Sequence, residues 1–188
     1  MIKDYNIIWY TDISKAETGV GAALSNENQE MSIPLGKLTT IFQAEVIAIS
    51  YCAETILNNG IMGCKIVICS DSQAALKSLY KTEIKSKLVW ECHLRLQEIG
   101  QNNDLTLMWV PGHEGIFGNE RADTLAKYAA NSIVEGPEPF CGISMDTVRN
   151  SKKLWLRQSS LDYWKTAPKM NHAKKLILKS EKNLVKHY

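Results

Sequence analysis

The order in which strand-type and helix-type segments follow one another constrains this chain more than any other feature. Ile7-Ile8-Trp9-Tyr10-Thr11 is rich in β-branched and aromatic residues, and residues 20–24 and 31–35 form two further short runs about the polar turn Ser25-Asn26-Glu27-Asn28. Three antiparallel strands follow from that spacing. Phe42, Val46, Ile49, Ala53, Ile56 and Leu57 then recur at helical period until Asn58-Asn59-Gly60 stops them. Residues 65–69 read as a short strand, and Ser70-Asp71-Ser72 offers capping side chains for a helix opening at Gln73. A helix over about 87–99, a strand over 105–110 ended by Pro111-Gly112, a loop to Gly118 and a helix over 119–130 complete the series. The order β-β-β-α-β-α-α-β-α predicts an α/β domain whose helices cover a central sheet.

A length of 188 residues suits one such domain and an appendage. The pattern changes beyond Asn131, where Gly136-Pro137-Glu138-Pro139 reads as a linker to basic, partly helical segments carrying Trp155 and Trp164. The expected division is therefore 1–131 and a C-terminal extension over 132–188. Residues 1–130 hold 11 Lys and Arg against 15 Asp and Glu, net −4, whereas residues 131–188 hold 11 against 5, net +6. A basic tail on an acidic body suggests a polyanionic partner; the competing expectation is that the tryptophans dock the tail and its lysines face solvent. At 45% hydrophobic and 22% charged residues the chain is neither disordered nor fibrous in composition. It has no apolar run near the roughly 18 residues of a membrane span, and Met1-Ile2-Lys3-Asp4 lacks the layout of a signal peptide. The expectation is an intracellular protein, nuclear or cytoplasmic, without a membrane partner. Five cysteines with no C-x-x-C pair fit buried free thiols better than disulfides or zinc.

Four carboxylates carry the chemistry. Asp12 ends the first strand-type run and Asp71 stands at a strand-to-helix junction, where a turn or a helix cap explains each one taken alone. Glu45 falls on the apolar stripe of its helix, between Phe42 and Ile49, where a charge requires a partner or a metal. Asp123 lies beside the Ala122, Leu125, Ala126 and Ala129 face. Strand ends and helix faces can converge at one edge of a mixed sheet, and an all-oxygen cluster of this kind suits Mg²⁺ or Mn²⁺ rather than zinc.

Four blocks built on these positions resemble the type 1 ribonuclease H family, in particular the domain found at the end of non-LTR retrotransposon polyproteins. They are Trp9-Tyr10-Thr11-Asp12, Phe42-Gln43-Ala44-Glu45, Cys69-Ser70-Asp71-Ser72-Gln73, and Trp109-Val110-Pro111-Gly112-His113-Glu114-Gly115 continuing through Gly118-Asn119-Glu120-Arg121-Ala122-Asp123. The resemblance implies a five-stranded mixed sheet flanked by helices. It implies hydrolysis of the RNA strand of an RNA–DNA hybrid with two Mg²⁺ ions, Mn²⁺ serving as an alternative, to give 5′-phosphate and 3′-hydroxyl ends. Asp12, Glu45, Asp71 and Asp123 would hold the metals, His113 would move protons from a mobile loop, and Gln43, Ser72, Gln73 and Asn119 are the candidates for contact with the hybrid. Asn119 could instead cap its helix.

Departures from the family pattern bear on the substrate side. Ile13 stands where glycine is common, and Ile41-Phe42-Gln43 replaces a stretch with an asparagine, Gln43 being its substitute. The span from Asp71 to His113 is short for an extra basic helix, and no hybrid-binding domain precedes Asn6, so weak binding by a monomeric core is expected, within or apart from a reverse-transcriptase polyprotein. A catalytically impaired, retroelement-derived binding domain is the alternative. A strand-transfer nuclease on the same fold is disfavoured by the Pro-Gly-His block.

Overall fold

A computed structural model describes residues 4–134, 136, 141–168 and 174. The chain divides into two compact units after Gly142. In the first, β1 (Ile7–Lys15), β2 (Val20–Ser25) and β3 (Glu30–Gly36) lead into α1 (Ile41–Asn58) and β4 (Lys65–Ser70). Then come α2 (Gln73–Leu79), α3 (Lys87–Asn102), β5 (Asp104–Trp109) and α4 (Phe117–Asn131). The five strands form one sheet in the order β3-β2-β1-β4-β5. β1 pairs antiparallel with β2, β2 with β3, while β1, β4 and β5 run parallel.

The central strand β4 is buried on both faces, which is why Ile66-Val67-Ile68-Cys69 is apolar without alternation. On one face α1 and α3 cover Trp9, Leu24, Leu35, Ile66 and Ile68, with Val46, Ile49 and Ile99 from the helices filling the layer. Burial of each such side chain contributes about 1.5–3 kcal/mol. On the other face a smaller cluster of Val67, Cys69 and Val110 packs with Ile8, Tyr10 and Ile116.

α4 also lies on that second face, at very close range. A Cβ at Gly21 of β2 would fall 2.2 Å from the Ala130 nitrogen and 2.5 Å from the Ala126 oxygen, so only glycine lets the helix backbone settle there. Three hydroxyls hold the helix by its carbonyls: Thr18 Oγ1 donates to Ala130 at 2.7 Å, Ser32 Oγ to Leu125 at 3.2 Å and Ser25 Oγ to Gly118 at 3.3 Å. Ala122, Ala126, Ala129 and Ala130 supply its buried face.

Several local expectations change. β1 does not stop near Asp12 but runs to Lys15, because β2 continues to pair with it as far as Lys15↔Val20. Phe42 leaves the buried stripe of α1 and is 38% exposed, because Thr40 starts the helix with a capping box closed by Gln43 and turns the first residue pair outward. α4 begins at Phe117 after Ile116, which makes no side-chain cap, so Asn119 sits inside the first turn and is not the cap. Cys52, Cys69 and Cys92 are buried free thiols, whereas Cys64 and Cys141 are free but half-exposed.

The first unit runs past Asn131 because residues 141 and 142 return to α1. Gln43 Nε2 donates to the Gly142 carbonyl at 2.6 Å, and Cys141 packs against the core beside Thr39. The second unit contains α5 (Met145–Thr166), capped by Ser144, whose hydroxyl accepts from the Thr147 amide, with no buried residue along its 22 positions. Residues 137–139 of the expected linker lie outside the described residues. No helix among the described residues is long and apolar enough to cross a membrane.

Candidate active site

The register of the parallel strands brings the first two carboxylates together. β1 and β4 pair up to Thr11↔Ser70, so Asp12 and Asp71 occupy the next position on neighbouring chains, where strands lie about 4.8 Å apart. β4 and β5 pair up to Ser70↔Trp109, and Val110 donates its amide to Ser70 O at 3.1 Å, so the chain carrying Pro111, Gly112 and His113 leaves beside Asp71. Asp71 was explicable from sequence as a helix cap, but Ser72 takes that role, accepting from the Ala75 amide at 3.3 Å. The Asp71 carboxylate is left for other work.

Glu45 enters from the second turn of α1 and is 7% exposed; Asp12 is 5% exposed. Burial, reinforced by Asp71 and Asp12, pushes the Glu45 carboxyl from 4.5 to about 8. Burial pushes Asp12 from 3.8 to about 7, with Asp71 and Asp123 adding repulsion, while the Ile13 amide, 2.7 Å from Oδ1, and His113 pull it back. Asp71 is raised by burial and by Asp123 and lowered by His113. Asp123, its side chain 14% exposed, is met by Lys127 Nζ at 2.5 Å one turn along α4. Each of the four carboxylates thus feels at least one of the others, as expected of neighbours converging from β1, α1, the end of β4 and α4.

Two further contacts shape the Asp71 corner. The Trp109 indole Nε1 donates to the Asp71 carbonyl at 2.9 Å, and a Cβ on Gly112 would fall 2.7 Å from Asp71 Oδ2. Neither role was read from the sequence, because both contacts join residues distant along the chain. The Lys127 contact was accessible from its i,i+4 spacing. His113 is exposed and has φ of 57°, the one positive value outside glycine among the described residues, in a turn with Gly115 at 74°. That left-handed turn aims the imidazole from the loop, where both Asp12 and Asp71 sense its charge.

The donor set fits a hard divalent cation. All four groups are carboxylates, and Glu45 Oε2 is buried without a hydrogen-bond partner, a costly state that a cation relieves. Among the described residues no three His, Cys, Asp or Glu side chains form a ready-made cage.

The remaining candidates are placed as follows. Gln43 Oε1 accepts from Thr40 N and Oγ1 at 3.1 and 2.9 Å, so its amide is committed to the capping box and to Gly142. Ser72 is engaged as the α2 cap. Gln73 is exposed one turn from Lys77, whose Nζ it accepts at 3.3 Å. Asn119 is 2% exposed, with Oδ1 buried and unpartnered. Of the four, Gln73 alone is an exposed residue directly after the Asp71 corner.

This fold has counterparts among solved structures. The foamy viral protease-reverse transcriptase solved with an RNA/DNA hybrid aligns at TM-score 0.58 and 19% identity, over 71% of this chain and 21% of that one. The same enzyme with double-stranded DNA aligns at 0.57 and 21%, over 71% of this chain and 99% of that one. These likenesses show the fold alone, an α/β domain built on a five-stranded mixed sheet flanked by helices. The family model described as RNase H matches residues 4–131. Ribonuclease H of Pectobacterium carotovorum is 30% identical over 130 residues, covering 61% of this chain and 80% of that enzyme. Ribonuclease H of Alcanivorax borkumensis is 31% identical over 141 residues, covering 64% and 89%. The chain belongs to the ribonuclease H family of hydrolases.

Proposed function

We propose that this chain hydrolyses the RNA strand of an RNA–DNA hybrid, leaving 5′-phosphate and 3′-hydroxyl ends, with two Mg²⁺ ions held by Asp12, Glu45, Asp71 and Asp123. The observation that carries this reading is that Asp12 and Asp71 each directly follow the last pair of the parallel strands, Thr11↔Ser70, with the unpartnered Glu45 oxygen electrostatically coupled to both. When bound, such ions supply Lewis-acid activation of water and neutralise charge on the leaving oxygen. The protein's part is to hold four oxygens in place against their own repulsion. Trp109 and Gly112 fix the backbone and the free space on either side of the Asp71 carboxylate. His113 moves a proton to and from the site on its exposed imidazole, a ring that can both donate and accept. Gln73 is the side chain of the corner offered to the minor groove, where 2′-hydroxyls mark the RNA strand, and Ser72 holds the start of its helix.

The impaired-domain alternative drew on Ile13 and Ile41-Phe42. Ile13 gives Asp12 its main-chain amide, which any residue supplies, and its side chain packs on the core. Ile41-Phe42 lies in the first turn of α1, ahead of the buried Glu45. Neither change removes a carboxylate. The motif blocks support reading the chain as a domain of non-LTR retroelement affinity, and we take it as a monomer acting in the nucleus or cytoplasm.

The test is side-by-side cleavage of labelled hybrid, double-stranded RNA and double-stranded DNA in Mg²⁺ and in Mn²⁺. Only the RNA of the hybrid should be cut, and Asp71→Asn, folded by circular dichroism, should be inactive, since an amide nearly matches the carboxylate in shape but cannot hold the cations. Normal cutting by that variant, or equal cutting of double-stranded DNA, rejects the reading.

A further inference from the structure

The basic extension is reduced by the structure to a defined surface. Arg149, Lys152, Lys153 and Arg157 are all exposed on α5, at helical offsets of zero, three, four and eight. At 3.6 residues per turn these offsets fall within an arc of about 140°, along about 12 Å of axis. Among the described residues one of the four is paired, Arg149 with Asp146 at 3.1 Å. We propose that this face of α5 is a docking strip for the sugar–phosphate backbone of the duplex that the site cuts. The proposal rests on the hybrid reading of the active site and adds the element that supplies affinity.

Charge and dimension select the partner. One strand of a duplex offers a phosphate about every 3.4 Å of axis, so about 12 Å of helix faces three to four phosphates, which is the number of cations on the strip. A rigid, exposed helix presents them without the ordering cost a mobile lysine run would incur. The first unit cannot supply this attraction through its net charge, since residues 1–142 hold 11 Lys and Arg against 17 Asp and Glu, net −6, whereas residues 143–188 hold 11 against 3, net +8.

A membrane surface is the competing partner for a basic helix with an exposed Trp155. It is disfavoured by the side opposite the cations, where Leu154, Leu161, Val148 and Trp155 are divided by Ser151, Gln158 and Asp162. Gln158 donates to both Asp162 oxygens at 3.1 and 3.2 Å, and a bilayer would have to bury that pair. A duplex asks nothing of that side.

The experiment measures equilibrium binding of a labelled RNA–DNA hybrid to the full chain, without divalent metal, across roughly 50–200 mM salt. Parent protein is compared with Arg149→Gln/Lys152→Gln/Lys153→Gln/Arg157→Gln and with Lys169→Gln/Lys175→Gln/Lys179→Gln/Lys182→Gln, which removes equal charge from the extension but leaves the strip. The strip variant should flatten the slope of log affinity against log salt by about three to four, so that between those salts the parent loses about 100-fold more affinity than the variant. The second variant should flatten it far less. Equal losses in both variants would show diffuse tail charge and overturn the strip, as would an unchanged slope in the first. Should the fourfold variant lose helix by circular dichroism, Lys152→Gln/Lys153→Gln is to give about half the slope change, and no change overturns the proposal. Vesicles of zwitterionic lipid with about one quarter anionic lipid form the last arm, and tighter binding to them than to the hybrid reassigns the helix to a membrane. Parent cleavage of hybrid in Mg²⁺ is scored separately: its failure rejects the active-site reading, whereas a cutting parent with an unaltered strip variant rejects only the strip.

Discussion

Gly112 separates packing from chemistry at the scale of single residues. A methyl group there meets the far end of the Asp71 side chain at Oδ2 and no backbone atom, so the fold can yield by turning the carboxylate aside. Gly112→Ala should therefore alter thermal stability little while weakening metal affinity about 10–100-fold, the usual loss when support around a ligand is disturbed. Calorimetric Mg²⁺ or Mn²⁺ titration beside a thermal melt checks it, and unchanged metal affinity refutes it. Glu45 stood out in the sequence because a charge on an apolar stripe breaks a local rule, whereas Asp12 and Asp71, each explicable as a turn or a cap, were singled out only by the motif blocks around them. The Gly112 and Trp109 contacts were not legible there, since a distance of dozens of residues along the chain leaves no periodic trace.

Among the elements, α4 depends most on a single position elsewhere. Its backbone rests on Gly21, and a Cβ there would strike main-chain atoms, which cannot rotate out of the way. Gly21→Ala should cost on the order of 1–3 kcal/mol in chemical denaturation. By shifting α4 it should also lower cleavage through Asp123, and a variant as stable and active as the parent would show that the approach is looser than described. The helices and strands were legible where period and burial agree, as in β4, whose unbroken apolar run matches a strand covered on both sides. Boundaries were less so. Asn119 looked like a cap because asparagine favours that place, yet Ile116 begins the helix without side-chain help and Glu120 Oε1 takes the Gly115 amide instead. The strip on α5 was visible from sequence as charge and became a surface once the helix fixed its bounds at Met145–Thr166.

For the whole molecule, the site makes stability depend on pH in a direction opposite to that of most paired carboxylates. Folding raises Asp12 to about 7 and Glu45 to about 8, above their ordinary 3.8 and 4.5, so the folded state binds more protons than the unfolded state between those values. The contribution of these groups is therefore full below about pH 4 and is lost as pH rises through 7 and 8. Metal-free protein should melt at a lower temperature at pH 8.5 than at pH 6, and Mg²⁺ should raise the melting point more at the higher pH, because cations bind the deprotonated form. Scanning calorimetry with and without chelator decides it; a metal-free melting point that rises over that interval contradicts the burial described for these two carboxyls. The four carboxylates proposed as ligands span the domain from residue 12 to residue 123, three on β1, α1 and α4 and Asp71 directly after β4. A cation gripped by all of them would act as a reversible cross-link closing most of the domain into loops, a staple holding distant stretches of the chain together.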